Sequence, residues 1–241
     1  MLPDDQPAYA ELLAWQRQML RAPTLLNRFT RQLQTRFNAL LPERVHQAIT
    51  TAIRQMVRGV LFGSIHTTRA PLLDASLTAR ETAVRTRIRY FRNTAAAEGG
   101  ITGAGGFLLG LADFPLLLGI KLKLLFDIAA LYGYDVRDYH ERLFLLHVFQ
   151  LAFSSQHTRN DTYRRLATWD SYRHTLPADV KDLDWRTLQQ EYRDYIDLAK
   201  MAQLLPVIGA PVGAIANYHL LKQLGETAMN CYRLRYFAAA N

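Results

Sequence analysis

The sequence predicts an all-α fold, a single helical domain of about eight to ten helices. Three observations lead there. Apolar residues recur at every third or fourth position in several stretches. Apolar/polar alternation between hairpin turns is missing. Capping signals of the form Thr/Asp-x-x-Glu precede two of the stretches. With 241 residues, 49% apolar and 21% charged, the chain is excluded from the disordered class and is long enough for one large core. Its one cysteine, Cys231, excludes an intramolecular disulfide and any multi-cysteine metal site.

The elements follow in order. The opening MLPDDQPAYAELLAWQ is acidic and has no basic region ahead of an apolar run. No signal peptide is therefore expected, and the setting expected is cytoplasmic. Thr78-x-x-Glu81 predicts a helix start. From Arg80 to Ala95 the apolar stripe is Val84, Ile88, Phe91 and Ala95. Arg85, Arg89 and Arg92 form the opposite stripe, either a plain solvated face or a contact for an anionic surface.

Gly99–Ile120 carries one ionisable residue, Asp113. As a single helix it would be about 33 Å long, enough to cross a bilayer. Glycine, at about 1 kcal/mol, and proline, at about 3, argue against a straight helix. A break at Asp113–Pro115 is expected, with Asp113 capping a second helix, Leu116–Tyr132. The functional alternative for Asp113 is a raised-pKa acid or a partner of Lys121 or Lys123. Lys123 and Asp127 are spaced to pair along the second helix, with Lys121 on another side. A helix apolar almost all round belongs in a bundle centre or in lipid.

Asp138-x-x-Glu141 predicts the next helix start. Ser154–Asp184 is polar and is expected to be an excursion or lid. A helix over Arg186–Ala202 shows Leu188, Tyr192, Tyr195 and Ala199 on one face. Leu204–Leu221 is a second apolar segment, broken by Pro206 and Pro211. The last helix, Leu220–Tyr236, places Leu221, Leu224, Ala228 and Cys231 inward and Lys222, Glu226, Asn230 and Arg233 outward.

The two apolar segments resemble each other. Gly106-x-x-x-Gly110 matches Gly209-x-x-x-Gly213, and Asp113 matches Asn217 ahead of a Leu-Leu pair. Either the chain repeats a Gly-rich helical hairpin, or both segments converged on small residues where helices cross closely.

At these residues the chain resembles the EcsC family of bacterial proteins. The stretch AAAEGGITGAGGFLLGLADFPLLLGIKLKLLFDIAALYGYDV is similar to the family's core signature, and LLPVIGAPVGAIANYHLLKQLGETAMNCYRLRYF to its C-terminal motif. The likeness runs from about Tyr9 to Phe237 and is most specific in residues 95–136 and 204–237 of a domain spanning 1–241. The family is named after a gene beside an ABC transporter. The resemblance implies a helical domain with hydrophobic Gly-rich segments and an envelope or membrane connection, and no catalytic residues. The Asp-x-Pro element also resembles a domain attached to some membrane-associated bacterial GTPases, but no GxxxxGK[ST] loop is present.

Other chemistry finds little support. His46, His66, His140, His147, His157, His174 and His219 are scattered, with no HExxH and no i, i+4 pair. Cys231, on an apolar stripe, is expected to be a buried thiol without a base. Ser154-Ser155 is not a GxSxG elbow. The glycines from Gly99 to Gly106 lack the strand and lysine of a phosphate loop. No metal and no cofactor are expected.

Three readings remain. The first is a non-enzymatic protein, peripheral to the inner membrane on its cytoplasmic face. Phe107, Leu108, Leu109, Leu111, Leu116, Leu117, Val207 and Ile208 would meet lipid, and Arg85, Arg89 and Arg92 anionic headgroups. Gly106, Gly110, Gly209 and Gly213 would pack the hairpins. The second is a soluble helical adaptor for a membrane protein such as an ABC transporter. The third is a hydrolase of unknown substrate, using Asp113 or a histidine. A net charge of +8 suits an anionic membrane, while no recognised motif points to specific nucleic-acid binding. A homo-oligomer is compatible with all three.

Overall fold

The computed structural model describes residues 2–21, 43–62, 68–103, 106–154, 158–179, 182 and 210–239, with backbone alone at 43–46, 48–50, 52, 95–103, 106–117, 210–214 and 216. Eight α-helices lie among the described residues: α1 (Gln6–Leu20), α2 (Glu43–Phe62), α3 (Leu77–Gly103), α4 (Gly106–Leu131), α5 (Tyr139–Phe153), α6 (Arg159–Ala167), α7 (Trp169–Tyr172) and α8 (Ala210–Ala239). No strand occurs among these residues, as the missing alternation predicted.

α8 is the axis of the bundle. It runs antiparallel to α3: Arg233 meets Glu81 near one end, Gly225 meets Ile88 midway, and Tyr218 meets Arg92 toward the other. α3 and α4 are antiparallel as well, joined by Arg80 to the Leu131 carbonyl and Arg87 to Asp127. α4 and α8 are therefore parallel, with Lys121 on Asn217 and Tyr132 stacked on Tyr232 at 5.1 Å. α5 returns antiparallel to α8, with Glu141 bonded to Tyr232 and the Ala152 carbonyl to Gln223. α2 crosses α4 where Gly59 faces Leu122.

The core is one apolar cluster. Val84, Ile88 and Phe91 of α3 are buried, as the periodicity predicted. So are Leu122, Phe126 and Ile128 of α4 and Phe144, Phe149 and Phe153 of α5. Cys231 is buried too.

Several expectations are corrected. α4 does not break at Asp113–Pro115; the helix is continuous from Gly106 to Leu131. A proline inside a helix removes one backbone hydrogen bond, and the neighbouring turns carry the chain through. Asp113 consequently lies inside α4 and not at a helix N-terminus. The helix expected to open at Thr78 is capped by Ser76, whose Oγ accepts from the Ala79 N–H at 3.3 Å. Asp138 does cap α5, accepting from the His140 N–H at 2.9 Å, but Glu141 turns inward to Tyr232 and Arg235 instead of closing the box. Asn230 and Arg233, expected on the outer face, are 7% and 1% exposed. They are enclosed because α8 has helices on several sides. The described part of the 154–184 stretch is anchored in the core by Tyr163, Leu166 and Trp169. The helix expected over Arg186–Ala202 lies outside the described residues.

Candidate functional site

The register of α3, α4 and α8 brings three helix ends, largely apolar but carrying Glu98 and Asp113, to one end of the bundle. These are the end of α3 (95–103), the start of α4 (106–117) and the start of α8 (210–216). α5 stops level with Gln223, so the first turns of α8 lie beyond it. In this stretch Ile215 is 60% exposed. Gly106, Phe107, Leu108, Leu109, Gly110, Leu111, Asp113, Leu116 and Leu117 all lie on the α4 backbone at this end, and Gly213 on that of α8. Their side chains are outside the described ones, and Val207, Ile208 and Gly209 are outside the described residues altogether.

A belt of polar groups sits behind these tips. Lys121, 1% exposed, donates to Asn217 Oδ1 at 3.1 Å. Burial pushes its pKa down to about 7, because water no longer solvates the ammonium. Asp127, 3% exposed, is held by Arg87 Nε at 3.2 Å and by Lys123 one turn earlier, the pair expected from spacing. Arg92 donates to the Tyr218 hydroxyl and lies over the ring, 3.9 Å from its centroid. Of the three arginines predicted to face outward, Arg89 is exposed, Arg85 is half-exposed and paired with Glu11, and Arg92 is partly buried on Tyr218.

The far end of α8 holds a second polar cluster. Arg233 bonds Glu81 through two contacts, at 2.5 and 2.7 Å, and Glu11 at 2.8 Å. Arg235 bonds Glu141 at 2.7 Å and covers the Tyr134 ring at 3.7 Å. Neither cluster presents a nucleophile with its base. Burial raises the Cys231 thiol pKa well above its usual range. His147 is buried, bonded to the Leu143 carbonyl at 2.8 Å, with its pKa lowered to about 4 by desolvation. Among the described residues no group of three His, Cys, Asp or Glu side chains is placed to hold a metal.

Nor, among these residues, is any helix long and apolar enough to cross a membrane. The profile of the EcsC protein family matches residues 6–237, nearly the whole of this bundle. The chain belongs to the EcsC family. It is 45% identical over 233 residues to "Protein EcsC" of Bacillus subtilis (strain 168), covering 96% of each chain. It is 35% identical over 143 residues to "Uncharacterized protein YdbA" of the same organism, which covers 59% of this chain and 53% of that relative. No solved structure matches it.

In this EcsC-family chain, sequence reading located the apolar segments but missed the buried partners. Asn217 was legible only as the counterpart of Asp113. The one signal for its role is that Lys121, unlike Lys123, has no carboxylate three or four residues away along its own helix. Glu11 and Glu81, the partners of Arg233, left no such trace.

Proposed function

We propose that the protein is a non-enzymatic, membrane-associated helical protein of the cytoplasmic face, and that it presents the apolar end of its bundle to anionic lipid. The observation that carries this reading is the convergence of three largely apolar helix ends at one end of the bundle, with Ile215 exposed there. Insertion of that end needs no spanning helix, because apolar burial is worth about 25 cal/mol per Å². Arg89 and Tyr90, exposed two turns before the end of the Arg80–Ala95 stretch, are suited to the headgroup layer.

A second reading has its own observation. Leu124, Leu125, Phe126 and Ile128 of the same apolar helix are buried inside the bundle. That favours a soluble adaptor for a membrane protein, with the helix serving as core. Flotation with neutral and anionic vesicles, at low and high salt, separates the two. Binding to anionic vesicles that partly survives salt is expected. Leu108→Asp and Ile215→Asp should abolish or weaken flotation while the far-UV circular dichroism stays helical. If wild type never floats, and Leu117→Asp unfolds the chain by burying an unpaired charge, the adaptor reading replaces the first.

A further inference from the structure

A cavity of about 450 Å³ opens between α1, α3, α8 and the junction of α5 with α6. Among the described residues its wall carries four strong cations, Arg85, Arg159, Lys222 and Arg233, and two carboxylates, Glu11 and Glu226. Three of the cations are already met. Glu81 and Glu11 hold Arg233, Glu11 also holds Arg85 at 2.8 Å, and Glu226 lies 3.8 Å from Lys222.

Arg159 is different. No carboxylate or hydrogen-bond acceptor among the described residues meets it, and its Nε is sealed from solvent without a partner. Burial also lowers its pKa from the ordinary arginine value. Folded proteins pair nearly all such groups. Counting Glu81, which pairs with Arg233 from behind the wall, the described residues bring three carboxylates to four cations, and none of the three meets Arg159. A guanidinium is a planar fork of donors that fits the paired oxygens of a carboxylate or phosphate.

We infer that this cavity is a binding site for a small molecule bearing a carboxylate or phosphate group, which Arg159 receives. The volume falls in the range of small-molecule sites. Trp15 and Met229 supply an apolar wall beside the charged one, so the ligand's body is expected to be partly apolar. The inference is independent of lipid binding at the far tip of α8.

The test is a titration of the full chain with inorganic phosphate and, separately, with acetate, ionic strength being held constant with sodium chloride. The Arg159 Nε–H resonance and the melting temperature are followed together. At least one anion should shift the resonance saturably and raise the melting temperature with concentration. The anion that does so identifies the ligand's charged group. Arg159→Gln should lose the saturable rise and keep its helical spectrum, while Arg54→Gln, exposed and outside the cavity, should retain it. The inference is overturned if neither anion moves the resonance beyond the chloride control, or if Arg159→Gln keeps the full rise. Should that variant fail to fold, the wild-type resonance decides alone.

Discussion

Arg233 stays charged inside the bundle although it is 1% exposed. Burial works against the charge, but the hydrogen bonds and field of Glu81 and Glu11 outweigh it and raise the arginine's pKa. Such a pair adds little net stability when complete, yet removing Glu81 leaves the buried Arg233 with only the half-exposed carboxylate of Glu11. Glu81→Gln should therefore cost about 3–5 kcal/mol in urea unfolding. A loss below about 1 kcal/mol, typical of exposed pairs, would show that water reaches the site. His147 sets a pH dependence. Its pKa falls from 6.5 to about 4 in the fold because the buried ring resists protonation. Above pH 6.5 both states hold it neutral. As pH falls from there toward 4, the unfolded chain takes up the proton first, so stability is lost across that window. The loss approaches about 3 kcal/mol at 1.36 kcal/mol per pKa unit. Urea midpoints at pH 7 and 4.5 should show His147→Gln losing less than wild type; equal losses would assign the effect to other groups.

At the scale of elements, the tightest joint is between α3 and α8. A Cβ on Gly225 would lie 2.6 Å from Ile88 Cγ1 and 2.8 Å from its Cδ1. Ile88 is a core residue with little room to retreat. Gly225→Ala should thus cost about 1–3 kcal/mol by overpacking, despite alanine's better helix propensity. Adding Ile88→Val should recover part of the loss, and a double-mutant cycle in urea measures the coupling. A stabilised Gly225→Ala variant would mean that the helices are further apart than described. The turn after α4 shows the other use of glycine. Gly133 has φ +92°, and Arg80 locks the loop before α3 onto it through the Leu131 and Leu73 carbonyls.

For the whole molecule, polarity is sorted along the bundle axis. Ion pairs and aromatic stacks crowd the end where α8 finishes, and apolar helix ends gather where it starts. Helices α3, α4 and α8 are 27, 26 and 30 residues long, against 15 for α5. The longer three therefore project beyond α5 at the apolar end. That asymmetry is the reason flotation is the decisive measurement for the proposed function, and the reason the apolar segments need not form a spanning helix to act at a membrane.

What the sequence alone determined is local. Helical periodicity set the class and the buried faces of α3 and of Leu221, Leu224, Ala228 and Cys231 in α8; i, i+4 spacing set the Lys123–Asp127 pair; Asp138 marked the start of α5; and two motif blocks pointed to the family. Each is encoded within a few neighbouring residues. Only the tertiary structure decided the rest. It buried Lys121 against Asn217, 96 positions away, and Arg233 against Glu81, 152 away. It left the Arg159 Nε without a partner among the described residues and brought three helix ends together. A periodic stripe records how residues are arranged around one helix. It does not record how many helices will surround that one, and a charge is buried or exposed according to those distant neighbours.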